Sequence, residues 1–340
     1  MTRKSAPNCS RNTTLSDGSH DPVGGYFELE LPDNRQLPYP ESVRFQSARA
    51  AFLALVRAGR PKRIWMPRYI CDGMLDPLDV AGVECVWYDL NDRLEVDGPT
   101  SGEIGDWLLY VNYFGVCNAN VAELMRVFSP DHLVLDYAQS FFEPPQEAVL
   151  ATIYSPRKFF GVPDGGLMTS RIPISTPQTQ DTSSFGRMAN LVRRLGESPE
   201  AGYADYQRSE ASLKDCEPKR MSKLTERILS SINFEETFKK RRKNFFYLHK
   251  ALGEANEFSI DTAGITAPLC YPFMTSDTRL RGKLIKNRIF VATYWRDALS
   301  RVREEWAVRM IGDLLPLPID QRYGEKEMEK VASLVLGKDA

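Results

Sequence analysis

From residue 43 onward the chain alternates two kinds of text, and this alternation limits the fold more than any other feature of the sequence. The runs "RIWMP" (63–67), "ECVWYDL" (84–90), "DWLLYVNYF" (106–114), "HLVLDYA" (132–138) and "VLATIYS" (149–155) are short and apolar, as buried strands are. Between several of them, segments such as "ICDGMLDPLDVAG" and "NANVAELMRVF" carry apolar residues at helical spacing. Strand followed by helix followed by strand builds an α/β domain around a largely parallel sheet, with the ligand off the carboxyl ends of the strands.

After "GGLMTS" (165–170) the text turns polar for about forty residues, with weak helical periodicity around "MANLVRRLG", and reads as a loop with helical insertions. The helical pattern from Met221 to Leu252 is too long for one capped helix without a break near Ser231 to Asn233; it reads as a connector. Its basic run "KKRRK" (239–243) reads as a solvated face rather than a phosphate or localisation patch, because Phe238, Phe245, Phe246 and Leu248 supply a buried side. "APLCYPFM", "TRLRGKLIKN", "RIFVATYW" and "EKEMEKVASLVL" then alternate strand and helix again. At 340 residues the chain exceeds the size at which single cores stop growing. The expected organisation is a disordered tail (1–22), a large domain (23–246) and a small C-terminal α/β domain (247–340).

Lys and Arg number 44 against 45 Asp and Glu, so no overall field favours nucleic acid or an anionic membrane; the expected partner is a small molecule or another subunit. No apolar run reaches membrane-spanning length, and the polar N-terminal stretch lacks the core of a signal peptide. Its two N-x-S/T matches, at Asn8 and Asn12, read as chance in a Ser/Thr/Asn-rich tail. Six scattered cysteines without a CxxC pair read as reduced thiols in the cytoplasm, and three isolated histidines argue against a zinc site or histidine-based catalysis.

Three stretches carry candidate chemistry. In "FQSARAAFLALVRAG", Gln46 and Ser47 precede a helical run from Ala48; a helix N-terminus binds phosphate through unpaired N–H groups, although most such serines only cap the helix. In "HLVLDYAQSFF", Asp136 ends an apolar strand with Gln139 three residues later, placed either to face a ligand or to cap a following helix. In "YSPRKFFGVPDGG", Lys158 sits between a strand and a glycine pair. A lysine with a depressed pKa forms a Schiff base, whereas a lone one is ordinarily solvated. A carboxylate, a lysine and a helix N-terminus are the three anchors of pyridoxal phosphate: the acid keeps the ring nitrogen protonated, the lysine holds the aldehyde and the amides hold the phosphate. The dinucleotide fingerprint GxGxxG and the P-loop GxxxxGK[ST] are both absent, which leaves a Rossmann-type nucleotide-sugar oxidoreductase or transferase the weakest reading.

Taken in order, "SARAAFLAL", "MPRYICDGMLDPLDVAGVECVWYDL", "LVLDYAQSFF", "YSPRKFFGVPDGGLMTS", "RMSKLTERIL", "KKRRKNFFYL" and "LLPLPIDQRYGEKEMEKV" resemble the DegT/DnrJ/StrS family of pyridoxal-phosphate enzymes, from residue 24 to the C-terminus. The resemblance implies a fold-type-I transferase, with a large domain on a mostly parallel, seven-stranded type of sheet plus a small C-terminal α/β domain. It implies an aminotransferase that moves an amino group from an amino acid, by analogy glutamate, to a nucleotide-linked keto sugar in polysaccharide or glycoconjugate synthesis, and a homodimer with its active site at the interface.

Carried over by position, the resemblance makes Lys158 the imine-forming and proton-shuttling lysine, pairs Asp136 with the pyridine nitrogen and sets Gln139 beside the ring. It places the phosphate on the amides of Ala48 and Arg49 with Ser47, and adds Ser155 as a further phosphate contact. Cys71 stands where the family places an aromatic ring over the cofactor, with Tyr69 the nearby substitute. Ile153 replaces a serine, and Pro218 falls where the partner's asparagine would reach the phosphate, while Arg220 of the same "CEPKRM" stretch is kept for substrate or the partner subunit. These departures keep open a non-catalytic or regulatory cofactor-binding relative; retention of Lys158 argues against a sugar dehydratase, in which histidine commonly replaces it.

Overall fold

The computed structural model describes residues 23–32, 37–98 and 105–338. The tail at 1–22, with Cys9, Asn8 and Asn12, lies outside the described residues. Ten strands are described: β1 Val43–Phe45, β2 Arg63–Pro67, β3 Glu84–Leu90, β4 Val96–Asp97, β5 Trp107–Val111, β6 Leu133–Asp136, β7 Ala151–Tyr154, β8 Gly166–Ser170, β9 Tyr271–Met274 and β10 Leu314–Leu317. The helices are α1 Ala48–Gly59, α2 Asp76–Ala81, α3 Asn118–Val127, α4 Ser184–Arg187, α5 Ala189–Gly196, α6 Tyr203–Ala211, α7 Lys223–Ser230, α8 Phe234–Leu252, α9 Leu280–Lys286, α10 Glu305–Gly312 and α11 Glu325–Val335.

The first eight strands form one sheet in the order β1-β8-β7-β6-β5-β2-β3-β4. The central run from β7 to β3 is parallel, and β8, β1 and β4 pair antiparallel at its flanks. Each expected strand between residues 63 and 155 is present. The sheet has eight strands rather than seven, counting the three-residue edge β1 and the two-residue edge β4. Residues of β5 and β6 are buried without exception, as a sheet covered on both faces requires. β9 and β10 form a separate antiparallel pair.

The expected break in the long helical pattern falls at 231–233, because Ser222 caps α7 and Asn233 caps α8 through their side chains. Two expectations are corrected. "RIFVATYW" is not a strand: Ile289 and Val291 are buried alternately, but the carbonyl of Ala292 is taken by the Arg281 guanidinium, and Trp295 adopts φ 54°, which ends any extended run. In "KKRRK", four residues are exposed and Arg241 is buried, since it lies on the face shared by Thr237, Phe245, Leu248 and Leu252. Among the described residues, no helix is long and apolar enough to cross a membrane.

Candidate active site

The parallel strands point their carboxyl ends toward one edge of the sheet, so the loops after β2, β5, β6 and β7 emerge side by side. The register pairs Val111 with Asp136 and Asp136 with Ile153, so these three strand ends are level. Asp136 is therefore fixed at the rim by two neighbouring strands. It is buried, and its Oδ1 accepts the N–H of Ala138 at 2.8 Å. Residues 137–143 form turns with no helix, so Asp136 caps none. Burial pushes its carboxyl above the ordinary range, while the charge of Lys158 and the Ala138 N–H pull it back toward ionisation.

Lys158 ends a 3-10 turn, Pro156–Lys158, which leaves β7 through Ser155; the Ser155 carbonyl accepts the Lys158 N–H at 3.2 Å. Ser155 is buried and Lys158 exposed. Cys71 lies in the field of Lys158, Asp136, Arg49 and Asp297; burial raises its thiol and Lys158 is the largest opposing influence. Lys158, Asp136, Arg49 and Cys71, from four separate stretches, are thus neighbours.

Two glycines bring the lysine loop against α1. Gly165 takes φ 131°, and its N–H donates to the Gln46 carbonyl at 2.7 Å. A Cβ on Gly166 would stand 2.3 Å from the Ser47 carbonyl oxygen and 2.7 Å from the Ala48 nitrogen, so only hydrogen fits there. Ser47 caps α1 by accepting the Ala50 N–H at 3.2 Å, which leaves Ala48 and Arg49 as the first amides of the helix. The Arg49 side chain leans on Gly73 and pairs with Asp76 at 3.4 Å. The "CEPKRM" stretch runs alongside: the Gln46 side chain donates to the Glu217 carbonyl at 2.6 Å and accepts the Lys219 N–H at 2.8 Å. Arg220 is exposed, held by a 3.3 Å bond to the Gln178 carbonyl.

Gln139 is fully buried. Its Oε1 accepts the N–H of Phe114, whereas its Nε2 has no hydrogen-bond partner among the described residues. Phe114 itself sits at φ 58°, an uncommon and strained position for a bulky residue. Tyr69 is buried in an aromatic layer, stacked on Tyr113 at 5.5 Å and edge-on to Trp295 at 4.8 Å, with its hydroxyl unpartnered among the described residues.

Reasoning from sequence missed the C-terminal contribution. A 3-10 turn, Arg296–Ser300, carries Asp297, which accepts the Asp72 N–H at 2.6 Å. Arg301 follows it, donating to the Arg68 carbonyl at 2.9 Å, to Asp72 Oδ1 at 2.6 Å and to the Ile70 carbonyl. Together they hold the loop bearing Tyr69 and Cys71. No local pattern marks these residues, because their partners lie more than 220 positions away.

No family model and no curated protein matches the sequence. Solved structures do share the fold. The sugar aminotransferase CalS13 from Micromonospora echinospora is 15% identical, with 88% of this chain and 87% of that one covered at a TM-score of 0.59. A DegT DnrJ EryC1 StrS aminotransferase from Brucella abortus is 13% identical over 87% and 85% at 0.56. The PLP-form of Spr1654, a sugar aminotransferase by its description, from Streptococcus pneumoniae is 13% identical over 86% and 85% at 0.59. The chain has the fold of these enzymes, that of fold-type-I pyridoxal-phosphate transferases. It shares that fold with sugar aminotransferases over nearly nine-tenths of its length.

Proposed function

We propose that the protein is a pyridoxal-phosphate-dependent aminotransferase that moves an amino group from an amino acid, glutamate by analogy, to a nucleotide-linked keto sugar for polysaccharide or glycoconjugate synthesis. The observation that carries this reading is the grouping of Lys158 with a buried Asp136 beside a helix N-terminus cleared by Gly166. The residues present suit the cofactor. The Nε2 of Gln139, without a partner among the described residues, needs an acceptor, a Cβ would fill the approach at Gly166, and the buried Asp136 carboxyl is able to pair with a protonated ring nitrogen. Spr1654, with the same fold, is known in PLP and PMP forms.

When bound, pyridoxal phosphate supplies an aldehyde for the lysine amine and a ring that withdraws electrons from the substrate carbon. On this reading Asp136 keeps the ring nitrogen protonated, Gln139 sets the ring's orientation, and the amides of Ala48 and Arg49, with Ser47 and Ser155, receive the phosphate. The Lys158 amine, once released, carries the proton between two carbons as base and then acid. Cys71 occupies the place of a stacking aromatic, and the nearby Tyr69 takes over that role. We assign Arg220 to the substrate or to a partner subunit, a homodimer as the working assembly, and residues 23–246 and 247–340 as its large and small domains. The free thiols at Cys71, Cys85, Cys117, Cys216 and Cys270 support a cytoplasmic setting.

The test is the near-visible spectrum of the purified protein with pyridoxal phosphate, before and after glutamate, with the borohydride-trapped adduct located by peptide mapping. The expected result is a band that glutamate bleaches and an adduct on Lys158. Lys158→Ala is expected to keep its fold and lose the adduct and all transamination. A band that no amino donor alters would favour a binding protein, and transamination by Lys158→Ala would end the mechanism.

A further inference from the structure

Arg241 is the largest fully buried side chain that this function leaves unused. A guanidinium withdrawn from water is costly, and burial pushes this one down to about 10, with Asp320 the largest opposing influence. Among the described residues its hydrogen bonds go to neutral acceptors: Nη2 donates to the Phe159 carbonyl at 3.3 Å, Nη1 to the carbonyls of Pro268 at 3.2 Å and Leu269 at 3.3 Å, and Nε to Gln321 Oε1 at 2.9 Å. It also lies 4.5 Å above the Phe159 ring. Gln321 donates to the same Phe159 carbonyl at 2.8 Å, so the residue that follows Lys158 is held by two side chains from the C-terminal half.

The bonds continue beyond Leu269. Its N–H donates to the Phe114 carbonyl at 2.9 Å, and the Phe114 N–H donates to Gln139. An unbroken path therefore runs from the backbone beside Lys158, through Arg241 and the 268–269 segment, to the strained Phe114 and the side chain of Gln139. Gly115 is packed at the same place, where a Cβ would meet Pro268 at 2.9 Å and the Gln139 carbonyl at 2.6 Å.

We infer that Arg241 is a positioning residue that fixes the lysine turn and the Gln139 side chain relative to each other. The inference deepens the proposed function and rests on it for the chemical role of Lys158; the mechanical linkage stands on geometry alone. Neutral acceptors explain why arginine is used: its planar fork reaches three carbonyls and an amide oxygen at once, which neither a lysine nor an apolar residue matches.

The experiment compares wild type with Arg241→Met and Arg241→Lys in the full chain, by backbone amide exchange and by kinetics. The expected result for Arg241→Met is faster exchange in segments 158–160 and 112–116, with the strands unchanged, and an adduct still on Lys158. The expected kcat falls about tenfold to a hundredfold, with the amino-donor KM unchanged within about twofold, because geometry at the proton carrier is lost rather than donor binding. Arg241→Lys is expected to recover part of both. Exchange raised throughout the chain, or unchanged in either segment, would overturn the inference. Should Arg241→Met not accumulate folded, Gln321→Ala removes one donor to Phe159 without emptying the guanidinium site, and faster exchange at 158–160 is expected from it too. A wild-type protein that forms neither band nor adduct would remove the functional reading, while the exchange comparison, which requires no cofactor, would still decide the linkage.

Discussion

Asp164 illustrates how a residue within a recognised motif acquires a property the motif does not announce. In "GVPDGG" it reads as part of a turn, yet it is fully buried, with one oxygen accepting the Ser222 N–H at 3.3 Å and the other unpartnered among the described residues. Burial pushes its carboxyl up to about 6 from an ordinary 3.8, against hydrogen bonds from Ser222 and Thr225, with nearby Asp181 adding to the rise. The folded state thus holds this proton more tightly than the unfolded chain. Its stabilisation is fully present below pH 3.8 and is lost as pH rises to about 6. Asp164→Asn removes that titration. The stability difference between the two proteins is expected to shift by on the order of 2 kcal/mol in the variant's favour across this window, measured by urea unfolding at several pH values. A difference that stays flat with pH would show that Asp164 titrates as an ordinary surface acid. Lys158, Asp136 and Gln139 were legible as candidates because each stands at a strand end or a loop entrance. Gln139's free donor was not, because it depends on where Phe114 presents its N–H.

The contact between the 165–166 glycines and the start of α1 is the junction on which the candidate phosphate site depends. Gly166→Ala places a methyl group against the backbone of the Ser47–Ala48 peptide, which cannot yield as a flexible side chain would. A loss of about 1–3 kcal/mol is expected by thermal unfolding, together with weaker retention of pyridoxal phosphate, since the helix N-terminus must retreat. Gly282→Ala is the control: it lies within α9, in open space, and is expected to gain up to about 1 kcal/mol from helix propensity. Equal effects at both positions would remove the close-approach argument. The strands and the α7–α8 break could be read from the sequence because period and capping residues are local signals. "RIFVATYW" misled because its apolar alternation is genuine, whereas its Ala292 carbonyl is taken by a side chain from α9.

Across the whole chain, two arginines of the C-terminal half reach the loops at the sheet's edge, Arg241 at the lysine turn and Arg301 at the 68–72 loop. Arg301 is mostly buried, and its guanidinium also lies 5.5 Å from the Trp87 ring. Arg301→Met removes three anchor bonds at once and leaves Asp72 without its cation. A loss of about 2–4 kcal/mol is expected. The half-buried Cys71 thiol, slow to react because burial raises it, is expected to label with a small maleimide at least about tenfold faster as thiolate and access both increase. Unchanged labelling would mean that the loop holds its shape without the C-terminal turn.

By itself the sequence determined the α/β class and the strand order along the chain and marked Ser47, Asp136 and Lys158 as candidates, since periodicity, capping and strand-end position are properties of neighbouring residues. Tertiary structure alone decided that Asp136 feels Lys158, that Gly166 must lack a side chain, that Arg241 leaves its charged run for the core, and that Asp297 and Arg301 reach back to the 68–72 loop. Each of those facts is a meeting of distant segments, and the physical terms that fix it, desolvation, close approach and hydrogen bonds to particular carbonyls, exist only once the chain has folded.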